Sequence, residues 1–229
     1  MASSSDGSKL VAVVLGGQIF TSTDSGVSWT ARDSNRIWQA VASSADGSKL
    51  VAGVWDGQIY TSTDSGVSWT ARNSNRAWNA VASSADGSKL VAAVNNGQLY
   101  TSTDSGATWV ARDSSRVWSA VASSADGSKL VAVEDYGQIY TSTDSGATWT
   151  ARTNSSRGWN AVASSADGSK LVAVVEFGQI YTLAEGYVGS STAGTGGYVT
   201  ASQGTSLELL YTGNGQFVIT SQRGTLFAY

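Results

Sequence analysis

The chain contains no cysteine, no proline and no histidine. Without cysteine it cannot form a disulfide, use a thiolate nucleophile or build a zinc site with Cys ligands. Without histidine it lacks the commonest general base and the commonest ligand of transition metals. The composition therefore excludes most hydrolase triads, and we expect no metal and no other cofactor.

The chain also lacks a basic surplus, since Lys plus Arg number 14 and Asp plus Glu number 17. Non-specific nucleic-acid binders carry a basic surplus, so we expect no nucleic-acid partner. The longest apolar run, Leu10 to Leu15, is far shorter than the roughly 20 residues of a membrane helix, so we expect no membrane partner. The opening MASSSDGSKL does not resemble a signal peptide, and the compartment stays open.

What the chain does have is an internal repeat of about 40 residues. A shortened copy, MASSSDGSKLVA, opens the chain. The one extra residue of the last unit falls in the loop Thr153 to Gly158, where a repeat tolerates insertion. The segment VASSADGSKLVA begins at Val41, Val81, Val121 and Val162, and GQxxTSTDSGxxW ends at Trp29, Trp69, Trp109 and Trp149.

Each repeat reads as four short strands joined by turns. In the second unit we predict strand A over Trp38–Ser44, B over Lys49–Val54, C over Gln58–Ser62 and D over Val67–Arg72. Asp-Gly between β-branched runs favours hairpins, and no sustained helical period is present. A repeated four-stranded unit of this length is a propeller blade, so the sequence predicts an all-β fold, a β-propeller of four-stranded antiparallel blades.

The repeat breaks down after Tyr181, although LELLYTG, QFVITS and TLFAY still match strands A, B and C. The fifth strand D is expected at Gly186–Ser190 or Tyr198–Ala201. We therefore predict six blades with an incomplete seam blade, in one domain over residues 1–229, with near-identical blades in 1–182 and a divergent closing region in 183–229. Because an open seam exposes strand edges, the chain is expected to be a monomer or a seam-mediated oligomer.

The segment from Ser22 to Trp29 matches the pattern S-x-D-x-G-x-x-W and recurs from Ser62, Ser102 and Ser142. With WxAVASSADGSKLVAV before it, the chain resembles Asp-box (bacterial neuraminidase repeat) propellers, especially the photosystem II assembly factor-like group. The resemblance covers residues 1–182 strongly and 205–229 weakly. It is specific for fold, since such blades serve lectins, sialidases, reductases and assembly factors alike.

In that family the Asp box is a folding element between strands C and D. Here Asp24 is expected to accept backbone N–H groups, Gly26 to take a positive φ and Trp29 to bury its ring. The alternative, that Asp24 and its equivalents bind calcium, offers one carboxylate per loop where calcium takes six to eight oxygens.

Sialidase activity is the best-known chemistry of the resembled family. A sialidase would need an arginine triad, and the usual sequence motif of that triad contains proline. This chain contains no proline. Glycosidases need two carboxyls roughly 5–10 Å apart, whereas Asp135 and Glu176 take equivalent positions on successive blades and are expected further apart. We therefore expect that the chain is not an enzyme.

The copies differ in only two places. The A–B turn SADGSK is invariant in the four internal copies and the C–D turn TSTDSG in all four of its own, while the B–C turns and D–A loops vary. Because strands of a meander alternate in direction, both variable connections should lie on one face. Trp55, Tyr136 and Phe177 on the B–C turns are aromatic anchors typical of recognition surfaces. Alternatively, variable residues such as Ile37, Ala77, Val117 and Gly158 tune packing between blades.

An Arg-x-Trp motif recurs on the same face and should ring the axis, because strand A is innermost. Arginine beside an aromatic ring can clamp a carboxylate or stack on a sugar. Alternatively, the Trp wedges between blades and the Arg bonds loop carbonyls or the carboxylates of Asp33 and Asp113. In the resembled assembly factors an arginine patch contacts the client protein. The pairs are Arg36/Trp38, Arg76/Trp78, Arg116/Trp118 and Arg157/Trp159.

The sequence thus predicts a recognition module that presents one variable propeller face to a glycan or protein ligand. Two alternatives stay open. The near-identical copies also fit an engineered or recently amplified propeller scaffold without a ligand, and the resemblance also implies an assembly-factor-like binder of a client protein.

Overall fold

The computed structural model describes the backbone of residues 1–152, 156–176, 179–184, 187–190, 199–201, 206–213, 216–223 and 226–228, and side chains as far as residue 182. Every regular element in these ranges is a β-strand. Within them no helix is long and apolar enough to cross a lipid bilayer. The chain divides into two compact units, Met1–Gly189 and Ser190–Tyr229. The single-domain expectation stays a prediction.

The first two repeats form separate four-stranded antiparallel sheets in sequential order, here called blades 1 and 2. Blade 1 comprises β1 (Ala2–Ser3), β2 (Leu10–Val13), β3 (Ile19–Ser22) and β4 (Thr30–Arg32). Blade 2 comprises β5 (Trp38–Ser43), β6 (Leu50–Val54), β7 (Ile59–Ser62) and β8 (Thr70–Ala71).

Blades 3, 4 and 5 share one ten-stranded sheet. It is continuous because β10 runs through a B–C turn and β11 runs from strand D of blade 3 into strand A of blade 4. The strands are β9 (Trp78–Ser83), β10 (Leu90–Ser102), β11 (Val110–Ser123), β12 (Leu130–Gly137), β13 (Ile139–Ser142), β14 (Thr150–Ala151), β15 (Arg157–Ser164), β16 (Lys170–Val175), β17 (Ile180–Ala184) and β18 (Tyr187–Ser190). The expected fifth strand D is thus confirmed at the first of its two proposed places.

The predicted strands A, B and C agree with the structure to within one residue, but the prediction for strand D was wrong. In blade 2, strand D is only Thr70–Ala71 instead of Val67–Arg72. The amide of Ser68 donates a hydrogen bond of 2.9 Å to Oδ1 of Asp64, so the residues before Thr70 belong to the C–D turn. Strand D therefore begins three residues later than predicted, because the C–D turn extends further.

The core consists of layers between successive blades. Between blades 1 and 2, the side chains of Val11 and Ile19 pack against Trp38, Leu50 and Tyr60. The Trp that opens each strand A fills the same place in every layer, where burial of so large a ring is a main source of stability. These four rings, 0–1% exposed, are Trp38, Trp78, Trp118 and Trp159.

The invariant A–B turns are hydrogen-bonded to one another from blade to blade. The Ala45 amide donates to the Ala85 carbonyl at 2.7 Å, and the Ala85 amide donates to the Ala125 carbonyl at 2.7 Å. Gly47 has φ +68°, and a Cβ there would lie 2.9 Å from the Cβ of Lys9 in the preceding blade. Packing between blades therefore explains why the sequence of this turn is the same in the four internal copies.

The second unit contains β19 (Val199–Ala201), β20 (Ser206–Gly213), β21 (Gln216–Arg223) and β22 (Leu226–Ala228). β20 pairs with β21 in antiparallel register, as expected for strands A and B of a blade. Within the described residues, β22 pairs with β19 and not with β21, so the predicted third strand takes another partner. The count of six blades stays a prediction.

Candidate functional site

The variable face, meaning the B–C turns together with the D–A loops, is a hydrogen-bonded surface. The amide of Arg36 donates to the carbonyl of Gly17 in the preceding B–C turn at 2.9 Å, and Leu15 forms a bridge with Ile37. The amide of Trp55 donates to the carbonyl of Ile37 at 2.8 Å. Each D–A loop is thus held between two B–C turns, which fixes the direction of its arginine.

Each of these arginines lies over a tyrosine ring of strand C in its own blade. The guanidinium carbon of Arg36 is 4.7 Å from the centre of the Tyr60 ring, and that of Arg116 is 4.5 Å from Tyr140. Such cation–π contacts attract each guanidinium to the face of its ring, and Arg36 and Arg116 also lie 5.8 Å from the centres of the Trp38 and Trp118 rings. We call Arg36, Arg76, Arg116 and Arg157 the arginine row; Arg76 lies 4.7 Å from Tyr100 and Arg157 lies 4.8 Å from Tyr181.

The members of the arginine row differ in their acidic partners. Arg36 forms an ion pair with Asp33 at 3.5 Å. Arg116 lies 3.8 Å from both Asp113 and Glu134. Asn73 stands where two of the other three D–A loops have aspartate, and Arg76 has no ion pair within the described part of the chain.

The arginine row is only partly satisfied by the protein. The side chains of Arg36 and Arg116 are 33% and 28% exposed. Nε of Arg36, Arg76 and Arg116 is buried and has no hydrogen-bond acceptor among the described atoms, so it is out of reach of a ligand in this structure. The exposed part of a planar guanidinium suits a carboxylate, to which it donates charge-assisted hydrogen bonds.

The tryptophans of the Arg-x-Trp motif point into the layers between blades and away from the surface. The ring of Trp38 meets Tyr60 edge-on at 5.2 Å and Trp69 at 6.2 Å. Nε1 of Trp159 donates to the carbonyl of Gly137 at 3.1 Å. In this structure a ligand on the variable face would meet the arginines and not these rings.

The aromatic residues of the B–C turns are placed unequally. Tyr136 is 77% exposed, with φ +52°, at the tip of its turn. Trp55 is half-buried, and Phe177 lies outside the described residues. The positions next to the tryptophans pair with the preceding turn, as in Asn95 with Val117 and Asp135 with Gly158, so their variation affects packing between blades as well as the surface.

Blade 4 has an acidic surrounding that the sequence analysis missed. Tyr140 Oη donates a hydrogen bond of 3.4 Å to Oε2 of Glu134, beside Arg116 and Asp113. Burial raises the pKa of Tyr140 above its usual value. The repeat could have revealed this site, because Glu134 stands where two other blades have Val54 and Val94.

Sequence reasoning also missed a set of polar residues that follow the buried tryptophans. Nδ2 of Asn79 donates to the carbonyl of Trp118 at 2.9 Å, and Oγ of Ser119 donates to the carbonyl of Trp159 at 2.6 Å. Nε2 of Gln39 reaches Oδ1 of Asn79 at 3.4 Å. These bonds link strands A of neighbouring blades, and a polar residue inside each otherwise apolar strand was their sequence signal.

Comparison with known proteins identifies the fold. No protein family and no curated protein matches the sequence. Similar solved structures are an ancestral GH74 enzyme (18% identity, 82% of this chain, 30% of that chain, TM-score 0.65), YCF48 bound to D1 peptide (19%, 80%, 63%, 0.60) and the GH74 enzyme of Niastella koreensis (24%, 80%, 29%, 0.60). The chain spans less than two thirds of the length of each.

These structures are β-propellers, and the predicted fold class is confirmed: the chain is all-β and built of antiparallel propeller blades. At identities of 18–24% the likeness shows the fold alone.

The prediction that the chain is not an enzyme was wrong, because two of these similar structures are GH74 enzymes. The expectation had weighed only one carboxyl pair, Asp135 and Glu176, besides the missing histidine and sialidase motif. Glycoside hydrolysis can use any pair of carboxyl groups at a suitable separation. Asp and Glu together number 17 in this chain, so its composition does not exclude that chemistry.

Proposed function

We propose that this chain is a protein-binding module whose variable face holds an extended, acidic segment of a partner protein. The observation that carries the proposal is the arginine row. Arg36, Arg76 and Arg116 each lie on a tyrosine ring in equivalent loops, and each side chain is partly exposed. An acidic segment would supply carboxylates to the exposed part of guanidinium groups that are already positioned.

The repetition of the arginine row from blade to blade suits an extended ligand that can meet several blades. One arginine stands on each of blades 2 to 5, in equivalent loops. A segment that meets several of them gains avidity from repeated weak contacts. The comparison supports this interpretation, since the similar YCF48 structure is bound to D1 peptide.

The exposed aromatic ring of Tyr136 beside these arginines would give the surface an anchor for side chains of the partner. The recurrent S-x-D-x-G-x-x-W turn supports assignment of the blades to the Asp-box type, and through it to the assembly-factor-like group. Both assignments are part of the proposal.

The test is a peptide array probed with the purified chain, with a glycan array beside it. The site variant replaces Arg36, Arg76, Arg116 and Arg157 by Ala. The matched control replaces four other arginines, which donate to threonine hydroxyls of strand C: Arg32, Arg72, Arg112 and Arg152.

We expect acidic peptides to bind the native chain and the control, and to lose binding to the site variant. Circular dichroism would verify that both variants are folded. Equal binding to all three proteins, or a silent peptide array, would overturn the proposal. Selective binding on the glycan array alone would replace the protein ligand by a glycan, the other ligand class expected from the sequence.

A further inference from the structure

Blade 1 and blade 5 each have one outer face that resembles the faces packed against each other inside the chain, between successive blades. In each layer, a leading face (towards the preceding blade) packs on a trailing face (towards the next blade). Between blades 1 and 2, Leu50 and Val54 belong to the leading face, and Val11 and Ile19 belong to the trailing face. Blade 1 therefore has a leading face, and blade 5 a trailing face, that no layer of blades 1 to 5 uses.

The leading face of blade 1 is exposed. Val14 is 46% exposed, whereas its equivalents Val54 and Val94 are 5% and 6% exposed. Trp29 is 40% exposed, whereas the equivalent Trp69 is half-buried against the layer behind it. This corrects the expectation that Trp29 buries its ring, because no preceding blade covers it within the described residues.

The trailing face of blade 5 is exposed in the same manner. Val172 is 37% exposed. Its four equivalents are 0–1% exposed: Val11, Val51, Val91 and Val131. Since both faces are uncovered, blades 1 and 5 of one chain do not pack on each other.

The backbone bonds of the A–B turns give this arrangement a direction. The amide of each turn donates to the carbonyl of the next blade, from Ser5 to Ala45 at the start and from Ala125 to Ala166 at the end. The series therefore runs from a carbonyl acceptor at Ser5 to an amide donor at Ala166. A blade 5 placed before blade 1 would continue the same bond.

We propose that a second copy of this chain covers these faces, with blade 5 of one copy packed on the leading face of blade 1 of the next. The occupant must present a trailing face made of valine and a turn amide that has no acceptor among the described residues; this chain itself carries both, in Val172 and Ala166. A head-to-tail contact of this kind is heterologous, so it adds copies in one direction. It is distinct from the proposed binding face and does not depend on it.

Light scattering on the full chain tests the proposal. We expect a mass above the 23.6 kDa of one chain, rising with concentration. Val14→Asp disables the leading face, and Val172→Asp disables the trailing face, because an unpaired carboxylate is costly to bury against apolar side chains. Both positions are exposed in the single chain, so each variant should fold, which circular dichroism would verify.

Mixing the two variants gives the decisive result. Each alone should have the mass of one chain, while an equimolar mixture should form pairs through the two remaining faces. Val67→Asp, at a position 59% exposed in a C–D turn, is the matched control and should behave as the native chain does. A single-chain mass at every concentration, the result expected if residues 190–229 cover these faces, would overturn the proposal. So would a mixture that does not pair.

Discussion

The guanidinium of Arg76 lies 4.7 Å from the centre of the Tyr100 ring and, in the described part of the chain, forms no ion pair. Arg116 occupies the equivalent place over Tyr140 but is shared between Asp113 and Glu134. Two arginines with the same geometry therefore differ in how much of their charge is available to a ligand.

This difference predicts unequal effects on binding. Arg76→Ala should weaken the binding of an array-selected acidic peptide about tenfold or more, since a hydrogen bond to a charged group contributes roughly 1.5–3 kcal/mol. Arg116→Ala should weaken it less, because its neighbouring carboxylates already compete for the guanidinium. Isothermal titration of both variants with the same peptide measures the difference, and equal losses would contradict this account of Arg76.

The buried tryptophans should control stability. The ring of Trp78 is fully buried between blades 2 and 3. Trp78→Ala should lower the free energy of unfolding by about 3–5 kcal/mol. Trp29→Ala, at a ring that is 40% exposed, should cost clearly less. Urea unfolding compares the two, and a loss at Trp29 as large as that at Trp78 would show that the wedge between blades is not the main source of stability.

A pair of glycines isolates packing between blades from backbone strain. Gly7 and Gly47 occupy equivalent positions in the A–B turns of blades 1 and 2, with φ +71° and +68°. A Cβ added at Gly7 would meet no atom within 4 Å, whereas one added at Gly47 would meet Lys9 and Ser4 of blade 1. Gly7→Ala should cost only the left-handed backbone, about 1–2 kcal/mol. Gly47→Ala should cost a further 1–3 kcal/mol or so through overpacking. Thermal melts of both variants would show equal losses if the turns did not pack on each other.

The sequence predicts those parts of the fold that depend on residues close together in the chain, and it does not predict contacts between repeats. Strands B and C were correct within a residue, because Asp-Gly turns and apolar runs are local signals. Strand D was predicted to begin too early, because the Asp64 side chain holds Ser68 in the C–D turn and the sequence analysis did not extend the turn to that residue. The link between Gly57 and Arg76, which joins successive blades, depends on contacts between repeats and could not be derived from one repeat alone.

The candidate site was predicted in part. The arginines are on the expected face, but the tyrosine under each was missed although Tyr60 and its equivalents recur in every full repeat. The sequence analysis assigned the tryptophans to the site because each follows an arginine in the Arg-x-Trp motif. The structure buries these large rings in the core, as it does for Trp38. The S-x-D-x-G-x-x-W turn agreed with its expected geometry at Asp24 and Gly26, since Asp24 Oδ1 accepts the Ser28 amide at 2.9 Å and Gly26 has φ +87°.

The aspartates of the turns should make stability depend on acidity. Hydrogen bonds, above all from the hydroxyl of Ser28, lower the pKa of Asp24 to about 2, and the hydroxyl of Ser68 likewise lowers the pKa of Asp64 to about 2. A carboxyl group whose pKa is lower in the folded state stabilises that state fully at pH values above the pKa it has in the unfolded state. This stabilisation is lost as the pH falls through the pKa of the folded state. The melting temperature should therefore be steady above about pH 4 and fall between about pH 4 and pH 2.

The variant Asp64→Asn should lower the melting temperature at neutral pH and reduce its fall in acid. The control Asp56→Asn, at an exposed B–C turn, should change neither, because Asn tolerates the same positive φ. A melting temperature that stays constant down to pH 2 would contradict the assigned role of these carboxylates.

The measurement that tests the central claim most directly is amide hydrogen exchange of the chain with and without the tightest-binding peptide of the array. The account predicts slower exchange at the B–C turns and D–A loops around Arg76, including Trp55 to Gly57 and Asn95 to Gly97, with no change at the A–B turns. Protection confined to the A–B turns, or no protection at all with a peptide that binds, would contradict a binding site on the variable face.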